Sequence, residues 1–172
     1  CFYALEQKRA DQKRYPAVNP IDSYSKYLEY PEIQEYLEKT IATGWTEKVN
    51  ELKNLIRKGR EAQEQINILG DDGVPMNYHE LFWKSELIDF VVLQQDAFDA
   101  IDALCPLERQ KYMVELVLGI CERHFEFEDF EKCRDFFKEI INILRQMNYS
   151  EFHSEQFKEF ENKLNTLLSN GK

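Results

Sequence analysis

Glycine and proline are scarce in this sequence, with six glycines and five prolines among 172 residues. Regularly spaced turn signals between short β-branched runs, which mark sandwiches and barrels, are also absent. The chain consists instead of long runs rich in Glu, Lys, Leu and Ile, which favour helices. Its hydrophobic content of 43% is sufficient for one sizeable core. We therefore predict one mainly α-helical body, a helical bundle entered from a short extended N-terminal segment.

An excess of positive charge is lacking too. The chain has 32 acidic and 22 basic residues, for a net charge of −10, which would repel the phosphates of nucleic acids. No apolar run reaches the length that spans a bilayer, and no signal peptide is evident. We therefore expect no nucleic-acid partner and no direct membrane insertion.

The cysteines show no close pairing pattern, and a chain of this size does not need disulfide bonds for stability. We expect free thiols in a reducing cytosol and discount the formal glycosylation sequon at Asn148. The sequence also begins with a cysteine rather than a methionine, which suggests a piece of a longer protein. The four thiols are those of Cys1, Cys105, Cys121 and Cys133.

Motifs that carry catalysis are missing. The sequence contains no G-x-x-x-x-G-K-[ST], G-x-G-x-x-G, H-E-x-x-H or G-x-S-x-G, so a self-contained phosphate or hydrolase site is not expected. Cys121, His124 and Cys133 come closest to a metal cluster, but a fourth ligand at the usual spacing is lacking, and buried thiols are the favoured interpretation. The acidic run is typical of a solvated helix start, where carboxylates favour the positive end of the dipole. It comprises Glu126, Glu128, Asp129 and Glu131.

Apolar residues spaced three or four apart predict about five or six helices. Pro31 is predicted to begin a short helix that Gly44 ends. Thr46 is predicted to cap a long helix that Gly70 stops. The apolar stripe of that long helix comprises Val49, Leu52, Ile56, Gly59, Ala62, Ile66 and Leu69.

The remaining helices follow from the same spacing. Asn77 and Glu80 form a capping-box signature for a helix that runs to roughly Gln94. Pro106 is predicted to start the next helix. Two further helices are patterned by Phe130, Cys133, Phe137, Ile140, Ile141 and Leu144, and by Phe152, Phe157, Phe160, Leu164 and Leu167.

Plain packing of helices leaves three segments unexplained: KRYPAVNPIDSYS at 13–25, GDDGVP at 70–75 and LQQDAF at 93–98. Tyr15 precedes a proline, which disfavours helical backbone and predicts a shaped loop. Taken alone, Tyr15 would be a half-buried packing residue. Phe98 would be a core residue, because Ile101 and Leu104 follow it at helical spacing.

Together, however, these segments resemble a known family. YPAVNPIDSYS is similar to the YPAVDPLDSTS-like loop of the catalytic beta subunit of F-type ATP synthases, and to the FPAINWLTSYS-like loop of the catalytic A subunit of V/A-type rotary ATPases. LQQDAFDAIDALCPLERQ resembles the A subunit's LQQNAFDEVD-like segment and its following C-[PS]-LE-[KR]-Q. FYALEQKRADQKRYPA resembles the A subunit's FWALD-type lead. The resemblance is dense over 2–25 and 87–120, and it points to the C-terminal helical domain of the catalytic A (alpha) subunit.

This resemblance implies a division of the chain and a set of adenine contacts. Residues 1–25 would be a junction and adenine-side loop of the nucleotide-binding domain, and 26–172 the helical bundle. Tyr15 and Phe98 would lie against the adenine, with Gln95 and Ala97 beside them. ATP or ADP with Mg²⁺ would bind the intact subunit. This piece alone would bind none of these ligands, and it would contain no catalytic residue and no metal site.

The resemblance also implies partners. The turn at 70–75 would contact the central stalk through Asp71, Asp72, Val74 and Pro75. The beta-subunit version has a longer acidic run, so the share of charge in that contact stays open. The partners would be the non-catalytic B subunits and the central-stalk subunit, in a complex on the cytoplasmic face of a membrane. Its function would couple ATP hydrolysis or synthesis to stalk rotation and ion transport, for example of protons.

Two alternatives remain at this point. The chain could be a non-enzymatic helical interaction module whose groove binds a partner helix. It could also be the non-catalytic subunit of the same machine. The second fits less well, since the corresponding loop there reads RPPIN or RPAIN, without an aromatic residue before the proline.

Overall fold

Helices dominate the computed structural model of this chain, which describes residues 1–170. The predicted mainly α fold is confirmed. Two short 3₁₀ turns, Lys26–Glu29 and Asp71–Gly73, and one π-helical turn, Asp89–Leu93, complete the regular structure of these residues. The helices are α1 (Gln7–Asp11), α2 (Pro31–Thr40), α3 (Trp45–Leu69), α4 (Met76–Ile88), α5 (Leu107–Glu122), α6 (Phe130–Asn148) and α7 (Glu155–Asn170).

The N-terminal segment before α2 contains the predicted extended stretches, which a short helix and several turns interrupt. Isolated antiparallel bridges join Phe2 to Tyr24 and Leu5 to Val18, so the segment folds back on itself as a loose hairpin. The short helix α1 lies inside this hairpin and was not predicted. It buries Arg9, whose guanidinium pairs with Asp89, and it carries no apolar stripe.

The start of α3 differs from its prediction. The helix begins at Trp45, directly after Gly44 in the left-handed conformation (φ 71°), so the prediction of Thr46 as N-cap was wrong. Burial of the Trp45 side chain places this residue inside the first turn. Oγ1 of Thr46 is consequently buried without a hydrogen-bond partner, which is the opposite of a cap. Pro31 does begin α2, as predicted.

The predicted capping box of α4 is also wrong. The first helical residue is Met76, and the N-cap position before it is occupied by Pro75, which makes no side-chain hydrogen bond to the helix. Asn77 therefore already lies within the helix. The Glu80 carboxylate lies 2.7 Å from Nζ of Lys84. Glu80 thus forms a buried i,i+4 ion pair in place of a cap.

The core lies between α4 and the helices around it. α3 packs along α4, α6 packs on both α4 and α7, and α5 contacts α3 and α4. At the α3–α4 crossing, a Cβ on Gly59 would lie 2.1 Å from Cβ of Ser85. The two helices therefore approach closely enough that only glycine fits at this position. The most deeply buried apolar side chains include Leu87, Ile88, Val117, Phe137, Ile140, Leu144, Phe157 and Leu164.

Two of the four thiols belong to this core, as expected. Cys121 and Cys133 are buried, and burial raises the pKa of each thiol to about 12. The acidic run before α6 begins that helix, again as expected. The Asp129 side chain accepts a hydrogen bond from the backbone N–H of Lys132 (2.8 Å).

Substitution of Gly59 tests the close approach of α3 and α4. We expect Gly59→Ala to lower the free energy of unfolding by about 1–3 kcal/mol, because the added methyl must push the helices apart. Urea unfolding of the chain measures the change. Gly119→Ala is the matched control, since a Cβ on Gly119 meets nothing within 4 Å and alanine favours a helix by about 0.5–1 kcal/mol over glycine. Equal effects of both substitutions would contradict the packing argument.

Candidate functional site

A cavity of about 280 Å³ lies where the N-terminal loop meets the end of α6. Its walls come from three segments that are distant in sequence: the Tyr15 loop, the chain from Phe90 to Asp102, and the C-terminal turn of α6. Both aromatic rings and polar side chains line it. The lining residues are Lys13, Tyr15, Phe90, Gln94, Gln95, Asp96, Ala97, Phe98, Asp102, Arg145, Asn148 and Tyr149.

The four residues expected to contact adenine all line this cavity. Tyr15 is 56% exposed and Phe98 fully exposed, so neither ring belongs to the core. The backbone N–H of Gln95 donates to the Tyr15 carbonyl (3.2 Å), which joins the two segments that carry the rings. The structure therefore brings Tyr15, Gln95, Ala97 and Phe98 together around one concave surface.

The residue-by-residue interpretation of Phe98 as a core residue was wrong. The helical spacing of Phe98, Ile101 and Leu104 has no structural meaning here, because residues 94–106 are not helical. Three aspartates shape this loop instead. Carboxylate oxygens of Asp96 and Asp99 accept hydrogen bonds from backbone N–H groups two or three residues ahead, as is typical of Asx turns.

The third aspartate, Asp102, closes the loop. Its Oδ2 accepts a hydrogen bond from the backbone N–H of Asp96 (2.6 Å), and its carbonyl accepts one from Nε2 of Gln95 (2.6 Å). Burial raises the pKa of the Asp102 carboxyl. The hydrogen bond from the Asp96 N–H and the charge of Arg109 lower it, but burial has the larger effect. The sequence did contain a signal for this loop, namely aspartates at every third position, 96, 99 and 102. The sequence analysis did not recognise it.

A buried arginine then ties this loop to the bundle. Nη1 of Arg109 donates to the Ile101 carbonyl (3.2 Å), and Nη2 donates to the carbonyls of Met147 (3.1 Å) and Asn148. Nδ2 of Asn148 in turn donates to the Val91 carbonyl (2.9 Å). One guanidinium thus joins the loop, the end of α6 and, through Asn148, the π-helical turn. Sequence reasoning did not identify Arg109.

A second set of charged residues, which we call the arginine cluster, attaches the N-terminal loop that carries Tyr15. It consists of Arg9, Arg14, Glu86 and Asp89. Both terminal nitrogens of Arg14 donate to the Glu86 carboxylate (3.0 and 2.7 Å), and Nη1 also donates to Asp89. Asp89 Oδ1 and Nη1 of Arg9 form an ion pair at 2.6 Å. The angles between the two groups do not meet those of a hydrogen bond. The cluster joins the N-terminal loop to the end of α4.

Arg14 stays charged in this partly buried position. Desolvation lowers the pKa of its guanidinium, but the hydrogen bonds and charges of Glu86 and Asp89 outweigh that effect and raise the pKa above its ordinary value. The guanidinium also lies 4.7 Å from the centroid of the Phe90 ring, in a cation–π contact. Phe90 lines the cavity, so the cluster supports two of its walls.

The acidic turn lies at the other end of α4. Asp71, Asp72 and Pro75 are exposed and Val74 is half-buried. Nε2 of His79 donates to the Asp71 carbonyl (2.9 Å), which fixes the turn on α4. The 13 residues of α4 separate this turn from the π-helical turn beside the cavity by about 20 Å, at a rise of about 1.5 Å per residue.

The carboxylates beside the cavity do not fit a magnesium site. Oxygens of Asp96 and Asp102 already accept backbone hydrogen bonds. Nowhere in residues 1–170 do three His, Cys, Asp or Glu side chains lie close enough together to hold a metal ion. Within the same residues, no helix combines the length and apolar character needed to cross a bilayer.

Comparison with known proteins places the chain in a sequence family. The family described as the C-terminal domain of V and A type ATP synthase matches residues 34–132. The V-type ATP synthase alpha chain of Chlamydia abortus (strain DSM 27085 / S26/3) is 37% identical over 158 residues, which cover 92% of this chain and 26% of that protein.

Two further relatives carry the same name. That of Chlamydia trachomatis serovar L2 (strain ATCC VR-902B / DSM 19102 / 434/Bu) is 38% identical over 156 residues, covering 91% of this chain and 26% of that protein. That of Chlamydia pneumoniae is 35% identical over 167 residues, covering 97% of this chain and 28% of that protein. The chain therefore spans about a quarter of the length of these curated relatives.

Removal of the Arg109 guanidinium tests whether its hydrogen bonds hold the loop on the bundle. We expect Arg109→Met to lower the free energy of unfolding by about 3 kcal/mol, because backbone carbonyls lose charged hydrogen bonds worth roughly 1.5–3 kcal/mol each and the loop relaxes to recover part of that loss. Urea unfolding of the chain measures it. Arg57→Met, at an exposed position of α3, is the control and should change stability by less than about 0.5 kcal/mol. A similarly small effect at Arg109 would show that the loop is held by other contacts.

Proposed function

Because the chain belongs to the family of C-terminal domains of V and A type ATP synthases, we propose that it serves as the C-terminal helical domain of a catalytic alpha subunit. In this role it contributes the adenine side of a nucleotide site and a contact to the central stalk. The proposed activity of the whole assembly is ATP hydrolysis or synthesis coupled to stalk rotation and ion transport. One observation carries the proposal: Tyr15, Gln95, Ala97 and Phe98 line a single cavity.

The shape of the cavity favours a flat, partly apolar group. Its volume of about 280 Å³ lies just below the roughly 300–1,000 Å³ typical of small-molecule sites, which suits a base rather than a whole nucleotide. The exposed rings of Tyr15 and Phe98 offer stacking surfaces, and stacking contributes about 1–3 kcal/mol per base in nucleic-acid complexes. Nε2 of Gln95 already donates to the Asp102 carbonyl, so Oε1 is the side-chain atom that remains to accept a hydrogen bond from the base.

The proposal assigns the phosphates and Mg²⁺ to residues outside this chain. Phosphoryl transfer requires a metal ion and donors around the γ-phosphate, and the described carboxylates do not fit such a metal. Stacking on a base does not distinguish ATP from ADP. Tyr15 and Phe98 therefore bind nucleotide without acting in bond cleavage, and the chain alone is not expected to hydrolyse ATP.

The position of the acidic turn supports the proposed contact to the central stalk. Asp71, Asp72, Val74 and Pro75 lie at the end of α4 remote from the cavity, and the two carboxylates are exposed. Closure of a nucleotide site that moves the packed bundle would displace this turn, as hinge motions of rigid units do. The proposed partners are the central-stalk subunit and the non-catalytic B subunits, in an assembly on the cytoplasmic face of a membrane.

Nucleotide affinity tests the adenine side of the proposal. We expect Tyr15→Ala and Phe98→Ala, each in the assembled complex, to raise the dissociation constants of ATP and ADP alike by about tenfold, through loss of stacking. Titration with a fluorescent ATP analogue measures the change. Tyr36→Ala is the matched control, because Tyr36 is similarly exposed (62%) but lies on α2 away from the cavity. Unchanged affinity in both variants would leave the chain as a helical interaction module.

Charge removal tests the contact to the stalk. We expect the double substitution Asp71→Asn and Asp72→Asn to weaken binding of the isolated central-stalk subunit by about two- to fivefold, since exposed ion pairs contribute about 0.2–1 kcal/mol each. Surface-plasmon resonance at low salt measures the affinity. The control removes two equally exposed acids from α3, Glu61 and Glu64, as glutamines. Equal effects of the two double variants would point to general attraction between net charges instead of a local contact.

A further inference from the structure

The four residues of the arginine cluster lie beside the cavity, but none of them lines it. Arg9 and Arg14 come from the N-terminal loop, and Glu86 and Asp89 come from the end of α4 and the π-helical turn. We propose that this cluster sets the nucleotide affinity of the cavity by positioning Tyr15, without contacting the ligand. The inference rests on the proposed function, since it requires that Tyr15 binds a base.

The cluster acts on Tyr15 through the adjacent backbone. Arg14 directly precedes Tyr15, and its guanidinium donates hydrogen bonds to the carboxylates of both Glu86 and Asp89. On the other side, the Lys13 and Tyr15 carbonyls accept hydrogen bonds from Nε2 of Gln94 (3.4 Å) and the N–H of Gln95 (3.2 Å). Residues 13–15 are therefore held from two directions, and among the hydrogen bonds of residues 1–170 those that join them to α4 come from the Arg14 side chain.

Because the side chains of the arginine cluster are largely buried, the attachment of Arg14 to α4 depends on equal numbers of positive and negative charges in the cluster. The side chains of Arg14, Glu86 and Asp89 are 16%, 14% and 7% exposed, and the cluster pairs two positive with two negative groups. Removal of one charge leaves a partly buried partner uncompensated, so the remaining groups must rearrange. Because Arg14 directly precedes Tyr15, such a rearrangement moves the Tyr15 ring in the cavity wall.

A purely structural role makes a different prediction. A second ion pair, Arg60 to Glu6 (2.9 Å), also joins the N-terminal segment to the bundle, on α3. It involves no residue adjacent to Tyr15. If the segment only needs to be fastened, loss of either ion pair should weaken nucleotide binding in proportion to the stability that it costs. If Arg14 positions Tyr15, only loss of the Arg14 pair should weaken it.

Glu86→Gln is the most informative variant, because glutamine keeps the size of the side chain and removes one charge that faces Arg14. In the assembled complex we expect the dissociation constant of ATP to rise by about fivefold, the size of effect that substitutions in coupled networks produce. The change should fall on KM rather than on kcat. Arg60→Gln is the control for loss of an ion pair between the N-terminal segment and the bundle, and it should leave the dissociation constant unchanged. Circular dichroism confirms that each purified complex is folded, and size-exclusion chromatography confirms that it is assembled.

A double-mutant cycle separates positioning from general loosening. If Glu86 acts through Tyr15, Glu86→Gln should have little further effect on affinity in the Tyr15→Ala background. Additive effects of the two substitutions would overturn the inference. If Glu86→Gln disturbs folding, Arg14→Lys replaces it: a lysine keeps the charge without the fork, so affinity should still fall measurably.

The two proposals fail in distinguishable ways. If Tyr15→Ala weakens ATP binding and Glu86→Gln does not, the inference is overturned and the proposed function stands. If neither variant weakens binding, both are overturned. If only Glu86→Gln weakens binding, the cluster does not act through Tyr15, and the inference is overturned. Weaker binding in both variants, with non-additivity, supports the positioning role.

Discussion

Two arginine side chains hold irregular backbone against the helical bundle, and the candidate site depends on them. Arg109 donates to three backbone carbonyls, and Arg14 bridges two carboxylates. Buried backbone polar groups need partners, and a loop without regular structure cannot supply them internally. A planar guanidinium with several fixed donors suits this role better than any other side chain. The cavity exists because these two attachments bring three distant segments together.

The helix α4 connects the features that matter for the proposed function. One end continues into the π-helical turn and the arginine cluster, and the other ends at the acidic turn. The close approach at Gly59 and Ser85 packs α4 tightly against α3. Because packed protein interiors are dense and nearly incompressible, displacement at one end is transmitted to the other. The structure thus offers a rigid connection over the length of α4 between a ligand-sized cavity and an exposed turn.

The sequence predicted the helices well because their apolar residues recur at helical spacing, and core residues such as Phe137 and Leu144 are buried as expected. Helix starts were less predictable. Thr46 and Asn77 carry favourable capping side chains, but burial of Trp45 and the position of Pro75 shifted both starts. The proposed adenine contacts came from resemblance to a family. Residue spacing alone placed Phe98 in the core, because it could not show that Asp96, Asp99 and Asp102 form a loop.

The attachments of the site could not be predicted, since each joins residues that only the fold brings together. Arg14 and Glu86 are 72 positions apart, and no local pattern marks them as partners. The most direct test is electron cryomicroscopy of the assembled complex with a non-hydrolysable ATP analogue. We expect the purine to lie against the rings of Tyr15 and Phe98, with the turn at 70–75 facing the stalk. A purine held by other residues, with this cavity open to solvent, would contradict the central claim.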